Sequence, residues 1–202
     1  MFYIFSTYRS IHLQESCFNP SVKASGGPMR TLIERLGLPG LVALLVVLNF
    51  TFAAAQTLPA PEGAVLLTVD GDITVTNTAG AALFDREMLE EIGLSSMRTS
   101  TIWTQGVVHF EGVMLHEILE RLGVKAGTLT LHAANEYSTQ IAVADIKPDA
   151  PLIAFRRDGK NMSLREKGPL WVMFPFDTHP EYRSDIAYSL SVWQLVRITV
   201  KK

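Results

Sequence analysis

The chain has 202 residues, with 18 Lys and Arg against 20 Asp and Glu, five His and a single cysteine. So even a charge balance argues against a nucleic-acid partner, which calls for a basic surface. One cysteine also rules out a disulfide framework or a cysteine-built zinc site.

Residues 1–28 show no clear period and read as a non-native extension upstream of the true start at Met29. From there a secretory signal is expected over residues 29–55. Arg30 and Arg35 give the positive start, residues 41–48 the apolar core, and Ala53-Ala54-Ala55 the small residues before a cut near Ala55/Gln56. The apolar run is short for a membrane span, which needs roughly 20 residues. Cys17 falls upstream of that cut, so the exported domain would carry no thiol and the expected location is the periplasm.

Pro59 and Pro61 mark residues 56–63 as a tether, leaving residues 64–202 as a single domain. Residues 65–69 form a β-rich run, Asp70-Gly71-Asp72 a turn, and residues 73–76 a second strand. Asp85 caps a short helix through Met88, Leu89 and Ile92, stopped by Gly93. Residues 98–103 alternate weakly as a strand. The clearest helix covers residues 113–122, with Leu115, Ile118, Leu119 and Leu122 on one face. Residues 129–133 and 139–143 pair through an Asn135-Glu136-Tyr137 link. Asp158-Gly159 is a hairpin turn between residues 152–156 and 160–163. Residues 170–174 form a buried strand holding Trp171, and residues 193–200 a closing strand. Short strands with few helices and no βαβ alternation predict an α+β, mainly β domain.

The pieces Val108-His109-Phe110-Glu111-Gly112-Val113, Asn135-Glu136-Tyr137, Lys167-Gly168-Pro169-Leu170-Trp171 and Ser191-Val192-Trp193-Gln194-Leu195, in this order, resemble the sulfite oxidase-like molybdopterin-binding domain family. The resemblance spans nearly all of the exported part and implies that family's fold with a few short helices. In the family a cysteine stands before the Phe-x-Gly-Val element. Here residues 99–104, Thr-Ser-Thr-Ile-Trp-Thr, offer only hydroxyls, which are poor ligands for a soft redox metal. The chain therefore resembles a cysteine-less exported branch that includes PruR-type periplasmic pterin-binding proteins. That resemblance implies a non-catalytic sensory protein with a pterin as bound ligand and no catalytic cofactor. Its implied partner is the periplasmic domain of a membrane-bound cyclic di-GMP cyclase or phosphodiesterase. The alternative is a molybdopterin-dependent oxidoreductase or redox subunit that binds the cofactor without a cysteine ligand.

A pterin is a flat bicycle with a donor-rich edge, so its site needs an aromatic face and an acceptor. Trp103, Tyr137, Tyr182, Tyr188 and Trp193 are the stacking candidates. Glu136, Asp177 and Asp185 are the acceptors, Arg183 faces a ligand oxygen, and Asn135 completes the Asn-Glu-Tyr element. The polar, aromatic loop 175–183 is the strongest single candidate for contact with ligand or partner. No catalytic residue and no metal site is expected: the histidines lack ligand spacing, and there is no Gly-x-Ser-x-Gly elbow or Gly-x-Gly-x-x-Gly loop.

Overall fold

The computed structural model describes residues 58–202. The signal segment, its cleavage site and Cys17 lie outside the described residues. No helix among the described residues is long and apolar enough to cross a membrane.

Among the described residues ten strands and three short α-helices make an α+β, mainly β domain. In chain order they are β1 (Leu67–Gly71), β2 (Ala81–Phe84), α1 (Arg86–Ile92), β3 (Ser95–Ser100), β4 (Val107–Met114), α2 (Leu115–Arg121), β5 (Thr128–Ala133) and β6 (Ser138–Ala142). Then follow β7 (Leu152–Arg157), β8 (Lys160–Asn161), β9 (Trp171–Met173), α3 (Asp185–Leu190) and β10 (Leu195–Lys201). The first sheet runs β2-β1-β10-β5-β6, with β1 and β10 parallel. The second runs β3-β4-β7-β8, with β9 also paired to β7. Alternate residues of the first sheet, such as Leu67, Val69, Leu129, Leu131, Ile198 and Val200, enter the same buried core as Phe110, Val113, Ile153 and Trp171 of the second.

Local chemistry explains the helix starts. The Asp85 carboxylate accepts from Met88 N (3.0 Å) and also from Glu62 N and Gly63 N (2.8 Å each). These bonds to the charged form, Met88 first, hold its pKa below the ordinary carboxylate value. They also fix the 58–63 segment, read as a tether, along the domain, where Leu58 is buried. Ser184 caps α3 by accepting from Ala187 N.

Three sequence expectations are corrected. Residues 73–76 are not a strand, because their backbone finds no ladder. Thr74 instead donates through N and Oγ1 to Leu122 O, closing the end of α2. The strand that pairs with β1 is β2, further along the chain. The helix expected from Val113 begins at Leu115, since Val113 and Met114 still pair with Ile153 and Leu152 of β7. The strand expected at 98–103 lies earlier, at Ser95–Ser100, and Trp103 sits in the turn after it.

Candidate functional site

The two sheets are stitched together next to Trp193. Trp171 and Trp193 form an isolated antiparallel bridge, Val172 N donates to Val192 O (2.9 Å) and Leu195 N donates to Leu170 O (3.0 Å). Trp193 therefore precedes the closing strand instead of lying within it. Half-buried, it faces a pocket of about 230 Å3 lined by Trp103, Ala133, Asn135, Tyr137, Tyr188, Ser189, Ser191, Val192 and Trp193. That volume is below the roughly 300 to 1,000 Å3 of sites for drug-sized ligands, and suits a single flat ring system.

Trp103 is the hub of the aromatic wall. Its ring lies 5.8 Å from Tyr188, 5.9 Å from Trp171, 6.0 Å from Trp193 and 6.5 Å from Phe176, most of them edge to face. Rings at these separations support one another by about 0.5 to 1.5 kcal/mol per pair. Across the mouth, Tyr137 Oη donates to Ser189 O (2.9 Å), tying the β5–β6 turn to the end of α3. Asn135 Oδ1 accepts from Tyr137 N (3.3 Å), an Asx turn that sets Glu136 in a left-handed conformation (φ 69°).

The wall offers donors and no carboxylate. The indole N–H groups of Trp103 and Trp193 and the Tyr188 hydroxyl have no protein partner and reach solvent. The lining serines are engaged within the fold: Ser191 Oγ donates to Ala187 O (2.8 Å), Ser189 Oγ donates to Ile186 O (2.7 Å), and Ser191 O accepts from Trp171 Nε1 (3.2 Å).

The structure brings Trp103, Asn135, Tyr137 and Trp193 together, and adds Tyr188. It places Glu136 on the exposed turn between Asn135 and Tyr137, not among the lining residues. Asp177, Tyr182 and Arg183 lie outside the lining. Asp177 Oδ2 accepts from Ser100 N (2.6 Å), and Oδ1 accepts from Ser100 Oγ (2.6 Å) and Arg183 Nη2 (2.7 Å). The Ser100 bonds, then Arg183, hold the Asp177 carboxyl below its ordinary pKa. Arg183 Nε also donates to Phe176 O (2.8 Å). Both charges thus serve as a brace between loop 175–183 and the turn that carries Trp103. Tyr182 packs on Phe174 with ring centroids 5.0 Å apart.

Lys167 opens the Lys-Gly-Pro-Leu-Trp element of the sequence but is not among the expected site residues, yet its Nζ stands 4.0 Å from the Trp193 ring centroid and 5.6 Å from that of Trp171. Its backbone is left-handed (φ 73°), as is that of Gln194 (φ 51°). Gln194 N donates to Lys167 O (3.0 Å) and Gln194 O accepts from Ala134 N (2.9 Å), so one residue joins two pocket-bordering loops.

The molybdenum cofactor of the resembled family does not fit residues 99–104. Every hydroxyl there is already engaged. Fully buried Thr99 donates to Ser100 O (3.1 Å) and accepts from Asp177 N (3.3 Å); Ser100 donates to Asp177; Thr101 and Thr104 pair with each other (2.8 Å). None is a thiolate. Among the described residues no group of three or more His, Cys, Asp or Glu is placed to hold a metal ion.

The fold and site define a mainly β, two-sheet domain with an aromatic pocket at the junction of its sheets. No protein family model matches the chain. No curated protein matches it either. Among solved structures, the sulfane dehydrogenase SoxCD from Paracoccus pantotrophus is similar, with a TM-score of 0.49 and 15% sequence identity. The match covers 71% of this chain and 40% of that one, so the chain spans well under half of that protein's length.

Proposed function

We propose that this chain is a non-catalytic binding protein whose aromatic pocket takes a pterin, and that it acts as a periplasmic sensor for a membrane-bound cyclic di-GMP cyclase or phosphodiesterase. One observation carries the ligand part. Trp103, Asn135, Tyr137 and Trp193, spread over 91 positions of sequence, converge on one small aromatic pocket. An aromatic wall suits a flat heterocycle, and its free donors suit the ring's carbonyl and nitrogen acceptors. The donor-rich amino edge of the pterin would then face outward, toward the Glu136 turn. The absence of any unengaged hydroxyl at residues 99–104 favours binding over metal-based chemistry. Export rests on the signal segment read at residues 29–55, and the signalling partner on the sequence resemblance alone.

Calorimetry and tryptophan quenching with oxidised and reduced pterins test the ligand part. Saturable one-to-one binding is the expected result, and no binding of any pterin overturns it. Co-purification with a membrane cyclase or phosphodiesterase from native cells tests the partner.

A further inference from the structure

Four non-glycine residues of the described chain have left-handed backbones, and three of them border the pocket: Glu136, Lys167 and Gln194. Side chains bearing a Cβ adopt this conformation at a cost, and such strain gathers where a side chain must be held for a task. Gln194 is accounted for by the loops that it joins. Lys167 closes the 3-10 turn Leu164–Glu166 as its left-handed C-cap, so its backbone is also accounted for, and it is the placement of its side chain that stands out. Its backbone N donates to Leu164 O (3.3 Å) and its carbonyl is held by Gln194 N. Both flanks are thus fixed, while its ammonium forms no ion pair and rests against Trp193. The adjacent carboxylate, Glu166, is turned away onto Ser163 (Oγ at 2.8 Å) and Arg157 (3.5 Å).

The geometry is therefore that of a cation backing one wall of the pocket. A ring in van der Waals contact with the far face of Trp193 would lie about 3.5 Å beyond the indole. With Nζ 4.0 Å from the indole centroid, any such ring sits inside one Debye length, about 8 Å at physiological salt. A substituent reaching past the indole edge comes closer. No carboxylate lines the pocket to oppose this charge, and the free lining groups include two indole N–H donors.

We infer that Lys167 is a specificity determinant: the pocket selects flat heteroaromatic ligands that carry an anionic substituent over neutral analogues of the same ring. This rests on the pterin reading above.

The test uses the purified full chain and two probes that share a ring, pterin-6-carboxylate and 6-hydroxymethylpterin. Wild type should bind the carboxylate about tenfold more tightly, and 0.5 M salt should erode that preference. Lys167→Met should bring the two affinities within about twofold; Lys167→Arg should keep the preference. Equal binding of both probes by wild type, or a preference that survives in Lys167→Met, overturns the role of Lys167 and leaves the pterin pocket standing. Binding of neither probe by wild type overturns both. If Lys167→Met fails to fold cooperatively, the wild-type ratio, its salt dependence and Lys167→Arg still decide the matter.

Discussion

Replacing Asp177 by Asn tests whether the loop brace holds the pocket wall in place. The carboxylate takes three hydrogen bonds at 2.6 to 2.7 Å, two from Ser100 and one from Arg183, and its side chain is about one quarter exposed. An Asn of the same shape keeps one acceptor, so it can satisfy Ser100 N while its NH2 turns to the Ser100 hydroxyl. What is lost is the Arg183 pair and the extra strength of bonds to a charged acceptor, about 1.5 to 3 kcal/mol each when intact against about 1 for neutral ones. Allowing for solvent at Arg183, which is half exposed, the net cost is about 1 to 2 kcal/mol. That corresponds to a fall of about 3 to 6 °C in Tm for a domain of this size. The sign with pH follows from the lowered carboxyl pKa. The stabilisation is complete above the unfolded value near 3.8 and is lost as pH falls through the lower folded value. Thermal unfolding followed by circular dichroism at pH 7 and at pH 2.5 should therefore show the full wild-type advantage at the first and a smaller one at the second. Trp103 emission should shift to the red in the variant. An unchanged Tm at pH 7, or a gap of equal size at pH 2.5, refutes the brace.

Trp193→Ala should weaken pterin binding about tenfold or more, through lost stacking, while cooperative unfolding persists; fluorescence titration and a melting curve read the two effects separately. Asp85→Ala removes the cap of α1 and leaves Glu62 N and Gly63 N without their acceptor, a cost of about 2 kcal/mol measurable by urea unfolding. Since its pKa is also lowered, that cost should shrink below about pH 3.8. Gly112→Ala places a Cβ 2.1 Å from Ile153 O across the β4–β7 ladder, so a loss of about 3 kcal/mol or failure to accumulate as folded protein is expected.

Much of this was legible in the sequence where local chemistry decides it. Asp85 before an apolar-periodic run, the Leu115–Leu122 stripe and the Asp158-Gly159 turn each act over a few residues, and each is found as expected. Trp103, Tyr137 and Trp193 were also open to choice as stacking residues for a flat ligand, although the sequence puts Trp103 and Trp193 inside strands and the structure puts both just outside them. Partnering over long distances was not visible. Residues 73–76 are β-branched like a strand but have no ladder to join, and β2 is four unremarkable residues whose pairing with β1 alone defines it. Asp177 reads as an available acceptor until Ser100, 77 residues away, is seen to occupy it. The role of Lys167 is hidden for the same reason: although it opens the Lys-Gly-Pro-Leu-Trp element, a lysine in a turn gains meaning only from the ring that it touches.

The place of β10 has a consequence for the order of folding. The last strand in the chain is the middle strand of the first sheet, parallel to β1 on one side and antiparallel to β5 on the other. Until residues 195–201 leave the ribosome, β2-β1 and β5-β6 are two separate ribbons with no seam between them. Trp193, two residues earlier, cannot bridge Trp171 before then. The nascent domain is thus obliged to wait for β10, and a nonsense codon near position 195 would leave both a divided sheet and an unformed pocket.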